Sequence, residues 1–292
     1  MSKIKALIVG ASYSGKTTSA WLGVKWLLGL PENKGKRAIV VNQDGGSEEL
    51  WGEIQRTEVG KRVRVISPFK FEIGLAVFRR ICTGVWTDEA TLKTTKLDMG
   101  KYCVLVVDGW TGFAQSGLEK LRSDANLPDS LASGKALIVA GERFGVNAMS
   151  HYGAIHNEVK KLVDIEIPRL GLHSISTALV DEGEDRITRQ ARYGPKTCGG
   201  AIVATMPSWF GDTFVQETVR VKVEGGMRLV RRLWVREFED KNTGVPYIAG
   251  VRLVPEERER FDEAFPKGWV EVKEGLGLQK VYEEKWKGVR NE

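Results

Sequence analysis

The segment Gly10-Ala11-Ser12-Tyr13-Ser14-Gly15-Lys16-Thr17 constrains this fold more than any other. It reads GxxxxGK[ST] between an apolar run, Ile4-Lys5-Ala6-Leu7-Ile8-Val9, and a helical pattern from Lys16 to about Gly29 and Pro31. Strand, glycine-rich loop and helix in that order turn successive backbone N–H groups toward one anion, and the helix N-terminus adds its partial positive charge. The motif implies a nucleoside triphosphate held by Gly10, Ala11, Ser12, Tyr13, Ser14, Gly15, Lys16, Thr17 and Thr18. Lys16 would reach the β- and γ-phosphates, and the Thr17 hydroxyl would hold Mg²⁺. The competing reading is an ordinary glycine-rich turn, against which the flanking strand and helix stand.

Apolar runs alternate with helical patterns downstream. Arg37 to Asn42, Val63 to Ile66, Tyr102 to Val107 and Leu172 to Val180 read as strands, and Phe71 to Val85 and His151 to Ile167 as helices. The unbroken apolarity of Tyr102 to Val107 means burial on both faces, as in a parallel sheet. Beyond about residue 212 the pattern becomes strand after strand, Thr213 to Val223, Arg228 to Glu239 and Tyr247 to Leu253, with hairpin signals at Gly225-Gly226 and Asn242-Thr243-Gly244. The expected division is an α/β core over residues 1–254 and a C-terminal helix with a short charged tail over 255–292. Residues 123–150 read as a long, partly mobile loop.

With 292 residues the chain can bury a full α/β core. No apolar run reaches the length of a membrane span, and the N-terminus enters a core strand with no signal-peptide pattern, so a cytoplasmic protein without a membrane partner is expected. Cys82, Cys103 and Cys198 form no CxxC pair and read as reduced thiols. His151, His156 and His173 lack ligand spacing and read as packing residues. A formal charge of +6 favours a polyanionic partner, although such a balance is also common elsewhere.

Val104-Leu105-Val106-Val107-Asp108 places an acid at a strand's C-terminal end, where open α/β sheets hold their ligands. Asp108 is expected to complete the Mg²⁺ shell with Thr17, the alternative being a helix cap. The next residue is Gly109, which disfavours ATPases and packaging motors that carry a water-activating glutamate there. A catalytic carboxylate must come from elsewhere, and Asp44 at the mouth of the second strand is the candidate, against a plain Asp-Gly turn. Trp110 is the tryptophan considered for a place near the nucleotide.

Val41-Asn42-Gln43-Asp44-Gly45-Gly46 resembles the strand-end motif of RecA-like ATPases, where an acid orients the attacking water. Pro195 to Ile202 followed by Trp209 to Val215 is similar to the segment closing the second DNA-binding loop of RecA-like recombinases, and to the matching stretch of phage-encoded P-loop proteins grouped with single-strand-annealing ATPases. The resemblance spans roughly residues 3–253, with the phosphate loop and the Asp108 strand its specific parts. It implies a RecA-like P-loop NTPase core, a mostly parallel sheet flanked by helices with antiparallel strands after it. It also implies ATP and Mg²⁺ as cofactors, Lys16, Asp44 and Asp108 as catalytic residues, and a homo-oligomer acting on single-stranded DNA, in the host cytoplasm if phage-encoded. Where family members place a polar γ-phosphate sensor, this chain offers Thr177 or Asp181.

Arg186, Arg189, Arg192 and Lys196, interleaved with Tyr193, fall where that family binds DNA; the competing reading is a solvated hairpin paired with Glu182, Glu184 and Asp185. Among the arginines of the later strands, Arg231 and Arg252 are candidates for a finger supplied in trans. Other readings are a nucleoside or nucleotide kinase, a packaging motor subunit, and a slow nucleotide-switched binding protein.

Overall fold

The computed structural model describes residues 3–68, 70–87, 94–96, 98–123, 137–139, 142–144, 149–184, 190–197, 203, 205–223 and 226–287. Eleven strands form one sheet: β1 (Lys5–Gly10), β2 (Arg37–Asn42), β3 (Val63–Ile66), β4 (Tyr102–Asp108), β5 (His173–Glu184), β6 (Ala191–Pro195), β7 (Asp212–Val223), β8 (Gly226–Trp234), β9 (Arg236–Glu239), β10 (Pro246–Val251) and β11 (Trp269–Glu271). The centre runs β3-β2-β4-β5-β1-β7 with every neighbouring pair parallel. Antiparallel pairing begins outside it, β7 with β8 and β10, β8 with β11, and β5 with β6. This is a mixed α/β architecture, a largely parallel sheet extended by antiparallel strands.

Strand alternation sends successive side chains to opposite faces, and each face buries a separate core. Ala6 and Ile8 of β1, Val40 of β2 and Val104 and Val106 of β4 meet helices α1 (Lys16–Gly29) and α2 (Glu48–Gln55) and the last helix. Leu7, Val9, Ile39, Val41, Leu105 and Val107 meet α3 (Phe71–Thr83), α4 (Trp110–Ser123) and α5 (Met149–Lys161). Gly23 lets α1 approach closely, since a methyl group on it would come within 2.9 Å of both Ile175 and Leu278.

Several boundaries differ from the sequence reading, each for a local reason. The helix expected over 71–85 stops at Thr83 because Gly84 takes a left-handed conformation (φ 67°) that ends it, and Val85 starts a short strand paired with Thr94–Lys96. The helix expected over 151–167 gives way to a π-helical turn at Leu162–Glu166. The strand expected over 228–239 breaks at Val235, which is buried and donates its N–H to Gly268. Most of 123–150 lies outside the described residues; within it Leu137–Val139 pairs with Glu142–Phe144.

The C-terminal segment packs against the sheet. After α6 (Pro255–Ala264), α7 (Leu278–Trp286) buries Val281, Tyr282 and Trp286 beside Trp26 of α1. The Tyr282 hydroxyl donates to Asp212 at 2.7 Å, and Lys285 Nζ lies 2.7 Å from the same buried carboxylate. Among the described residues no helix is long and apolar enough to cross a membrane.

Candidate functional site

The C-terminal ends of β1, β2 and β4 converge on one spot beside Thr177 in β5. Gly15, in a left-handed conformation (φ 88°), precedes α1 with no side-chain cap, and the first turn carries no acid. The orphan N–H groups of that turn are therefore left to an anion. Lys16 is 7 % exposed, and its ammonium folds back onto the carbonyl oxygens of Gly10 (3.0 Å) and Ala11 (2.7 Å). Burial pulls its pKa below the ordinary lysine value, partly offset by the negative charges of Asp44 and Asp108. The buried Ser14 hydroxyl has no hydrogen-bond partner, and such an orphan fits a loop whose ligand is polar. Tyr13 holds φ 60° and stands wholly in solvent at the loop tip.

Asp108 is 1 % exposed, and hydroxyl and indole donors surround its carboxylate. Thr17 lies 3.0 Å from Oδ2 and 3.3 Å from Oδ1; Thr177 donates to Oδ1 at 2.6 Å, and Trp51 Nε1 donates to Oδ2 at 2.8 Å. Thr177, one of the two sensor candidates, also accepts the Gly109 N–H at 2.9 Å, so its hydroxyl is committed to holding the Asp108 turn. The other candidate, Asp181, lies 4.0 Å from Lys196.

Asp44 follows β2 and accepts the Gly46 N–H at 3.2 Å, the local geometry of an Asp-Gly turn. It also lines, with Lys16, Gly109 and Thr177, a cavity of about 90 Å³. Gly109 (φ 105°) explains why no glutamate follows Asp108: a side chain there would meet Asp44 Cβ at 2.9 Å. The space beside Gly109 is occupied by Asp44, from the turn after β2.

Sequence reasoning missed three residues here. Trp51 reads as one more apolar position on a short helix, and nothing in its spacing says that its N–H meets Asp108. Gln216 donates to the Ser14 carbonyl at 2.7 Å and accepts from Ser19 at 2.5 Å, and the Thr218 hydroxyl lies 3.2 Å from the same carbonyl. The available signal was a glutamine inside an apolar strand, where Gln216 is 1 % exposed. Trp110 is corrected: it is fully buried, stacked on Phe78 and edge-on to Phe113, because the first turn of α4 faces the core.

Arg186 and Arg189 lie outside the described residues. Arg192 pairs with Glu237 at 3.5 Å, an acid other than the three the sequence suggested. Tyr193 packs on Tyr247, next to the stack Tyr247–Phe238–Trp234. Phe238, Tyr247 and Trp234 line a cavity of about 640 Å³ that reaches the phosphate loop. The ring faces of that stack cover one another. Arg252 donates to Ser208 at 2.6 Å and feels Lys5, at the end of β1 opposite the loop. His173 accepts the Ile4 N–H through Nδ1, and burial pushes its pKa down to about 4, as suits a packing residue.

Trp51→Phe keeps an aromatic ring but removes the indole donor to Asp108 and leaves part of the buried indole volume unfilled, which adds to the cost. Unfolding free energy should fall by about 1–3 kcal/mol, as for a lost hydrogen bond to a buried charge. Urea titration checks this; an unchanged midpoint and slope would show the bond to be energetically idle.

The sequence matches no family model and no curated protein. Among solved structures, a KaiC-like protein from the hyperthermophilic archaeon Pyrococcus horikoshii is similar, with a TM-score of 0.42 and 13 % identity over 82 % of each chain.

Proposed function

We propose that this chain is a Mg²⁺-dependent ATPase of the RecA-like kind that works as an oligomer on single-stranded DNA in recombination, annealing or repair. The observation that carries the nucleotide part is the meeting of an uncapped helix N-terminus, Lys16, Thr17 and Asp108 at the ends of β1 and β4, on either side of β5. These residues suit the group. Mg²⁺ takes oxygen ligands, often one carboxylate together with substrate phosphates, and Thr17 and Asp108 offer such oxygens side by side. Among the described residues no cluster of three His, Cys, Asp or Glu forms a cage for a metal alone.

In this reading the backbone of residues 10–18 wraps the phosphates and Lys16 leaves its carbonyl partners to neutralise them. Asp108, oriented by Thr177 and Trp51, holds the metal shell, and Asp44 positions the attacking water. The commitment of Thr177 to Asp108 supports slow turnover and keeps the nucleotide-switch reading as the second one. ATP turnover measured with and without single-stranded DNA separates them: stimulation supports the ATPase, and tight binding without turnover supports the switch.

The DNA part rests on residues 186–196. Reversing Arg189 and Arg192 to Glu should weaken single-stranded DNA binding and flatten its salt dependence, each lost phosphate contact removing roughly 0.7 from the log–log slope. The same reversal at the exposed Lys34 and Lys61 is the control for net charge. Unchanged affinity and slope in the loop variant would remove DNA from the proposal and leave ATP binding standing.

A further inference from the structure

The β7–β8 hairpin is fastened to the phosphate loop of its own chain. Gln216 and Thr218 hold the Ser14 carbonyl, and Gln216 also accepts from Ser19 in the first helical turn. Across the hairpin Thr218 stands opposite Arg231. That register carries Arg231 over Gly15, where a methyl group would come within 2.7 Å of Arg231 Nε and 2.8 Å of its Cδ. A side chain at Gly15 would force the arginine to move away.

The neighbouring arginines are neutralised: Arg228 pairs with Glu271 at 3.1 Å, Arg232 with Glu217 at 3.4 Å, and Arg236 with Asp262 at 3.8 Å. Among the described residues Arg231 has no acidic partner. Its side chain lies over Gly15 at the positive end of α1, a first turn without an acid. A cation at the positive end of a helix is unfavourably placed, and an anion bound between the two turns the repulsion into attraction. A planar guanidinium can also take two phosphate oxygens at once.

We propose that Arg231 is a phosphate-binding residue acting in cis, closing over the nucleotide held by the phosphate loop of the same chain. This rests on the nucleoside-triphosphate reading above and replaces, for Arg231, the expectation of a finger in trans. Because the hairpin is anchored at Ser14, the arginine is already placed before any second subunit arrives.

The test uses the full chain and two probes, MgATP and MgADP. Arg231→Gln, which keeps a strand-compatible polar side chain, should bind both on the order of tenfold or more weakly, as for a lost charge-assisted contact. Its thermal unfolding midpoint should match the parent, because the side chain is exposed. Arg231→Lys should recover only part of the affinity. Mixing Arg231→Gln with Lys16→Ala subunits then decides between cis and trans. A cis arginine leaves every site of the mixture defective, whereas a trans arginine from the Lys16→Ala subunit would restore turnover at the Arg231→Gln site. Recovery in the mixture, or wild-type affinity in Arg231→Gln alone, overturns the inference while the ATPase reading stands. Wild-type MgATP affinity in Lys16→Ala would instead overturn the phosphate-loop reading, and the inference with it.

Discussion

Lys16→Ala is expected to lose measurable ATP turnover, with MgATP affinity falling on the order of a hundredfold or more, while the fold survives. Among the described residues, the ammonium is the only side-chain cation whose hydrogen bonds lie inside the loop, on Gly10 and Ala11. Preorganised charges of this kind, aimed at a transferring phosphoryl group, are each worth roughly 10²–10³ in rate. Stability should change little. The alanine keeps the helix propensity of α1, and two carbonyl oxygens that lose the lysine lie at a loop that water can reach. Titration calorimetry with MgATP and a steady-state phosphate assay read the result, and Lys25→Ala, which breaks only an exposed pair with Glu274, is the matched control. Turnover at the parent rate would end the phosphate-loop assignment.

Asp108→Asn should separate binding from hydrolysis. An amide has one acceptor and one donor end, and the surroundings dictate which way it lies. Trp51 Nε1 can only donate, so the amide oxygen must face it, and the NH₂ is left toward Thr177. The Thr177 hydroxyl can turn and accept beside the Gly109 N–H it already holds, but its own buried proton then loses its acceptor, so the variant should also lose about 1–3 kcal/mol of stability. What would disappear is the charge proposed to organise Mg²⁺. Nucleotide affinity without metal should stay within a fewfold of the parent, and Mg²⁺-dependent turnover should drop by about a hundredfold or more. Comparing the MgATP affinity with the magnesium-free value reads the two effects apart. A parent-like rate would reduce Asp108 to a structural acceptor.

The legible part of this protein is the part written in contiguous residues. A strand buried on both faces must be apolar at successive positions, as in Tyr102 to Val107, and a phosphate loop must put its glycines and lysine at fixed offsets, so both can be read directly. The rest depends on contacts between distant segments. Trp51 and Asp108 meet only because β2 and β4 are neighbours, and the turn after β2 brings α2 back over the strand ends. Gly109 looked like the absence of a glutamate; in three dimensions it makes room for Asp44. Arg231 could be read as basic and exposed, but its reach to Gly15 depends on the register of a hairpin that no local pattern specifies.

The placement of β1 also governs when this site can exist at all. Its neighbours are β5 and β7, so Ile4 meets His173 across 169 residues and Ser14 meets Gln216 across 202. A peptide carrying the whole phosphate-loop motif and α1 would lack both flanking strands, and the loop would have nothing to hold its shape. Closing such long loops before any contact rewards them makes folding slow. Affinity for nucleotide should therefore emerge late and all at once during refolding, after β5 and β7 have enclosed β1, and nucleotide should slow unfolding far more than it speeds folding.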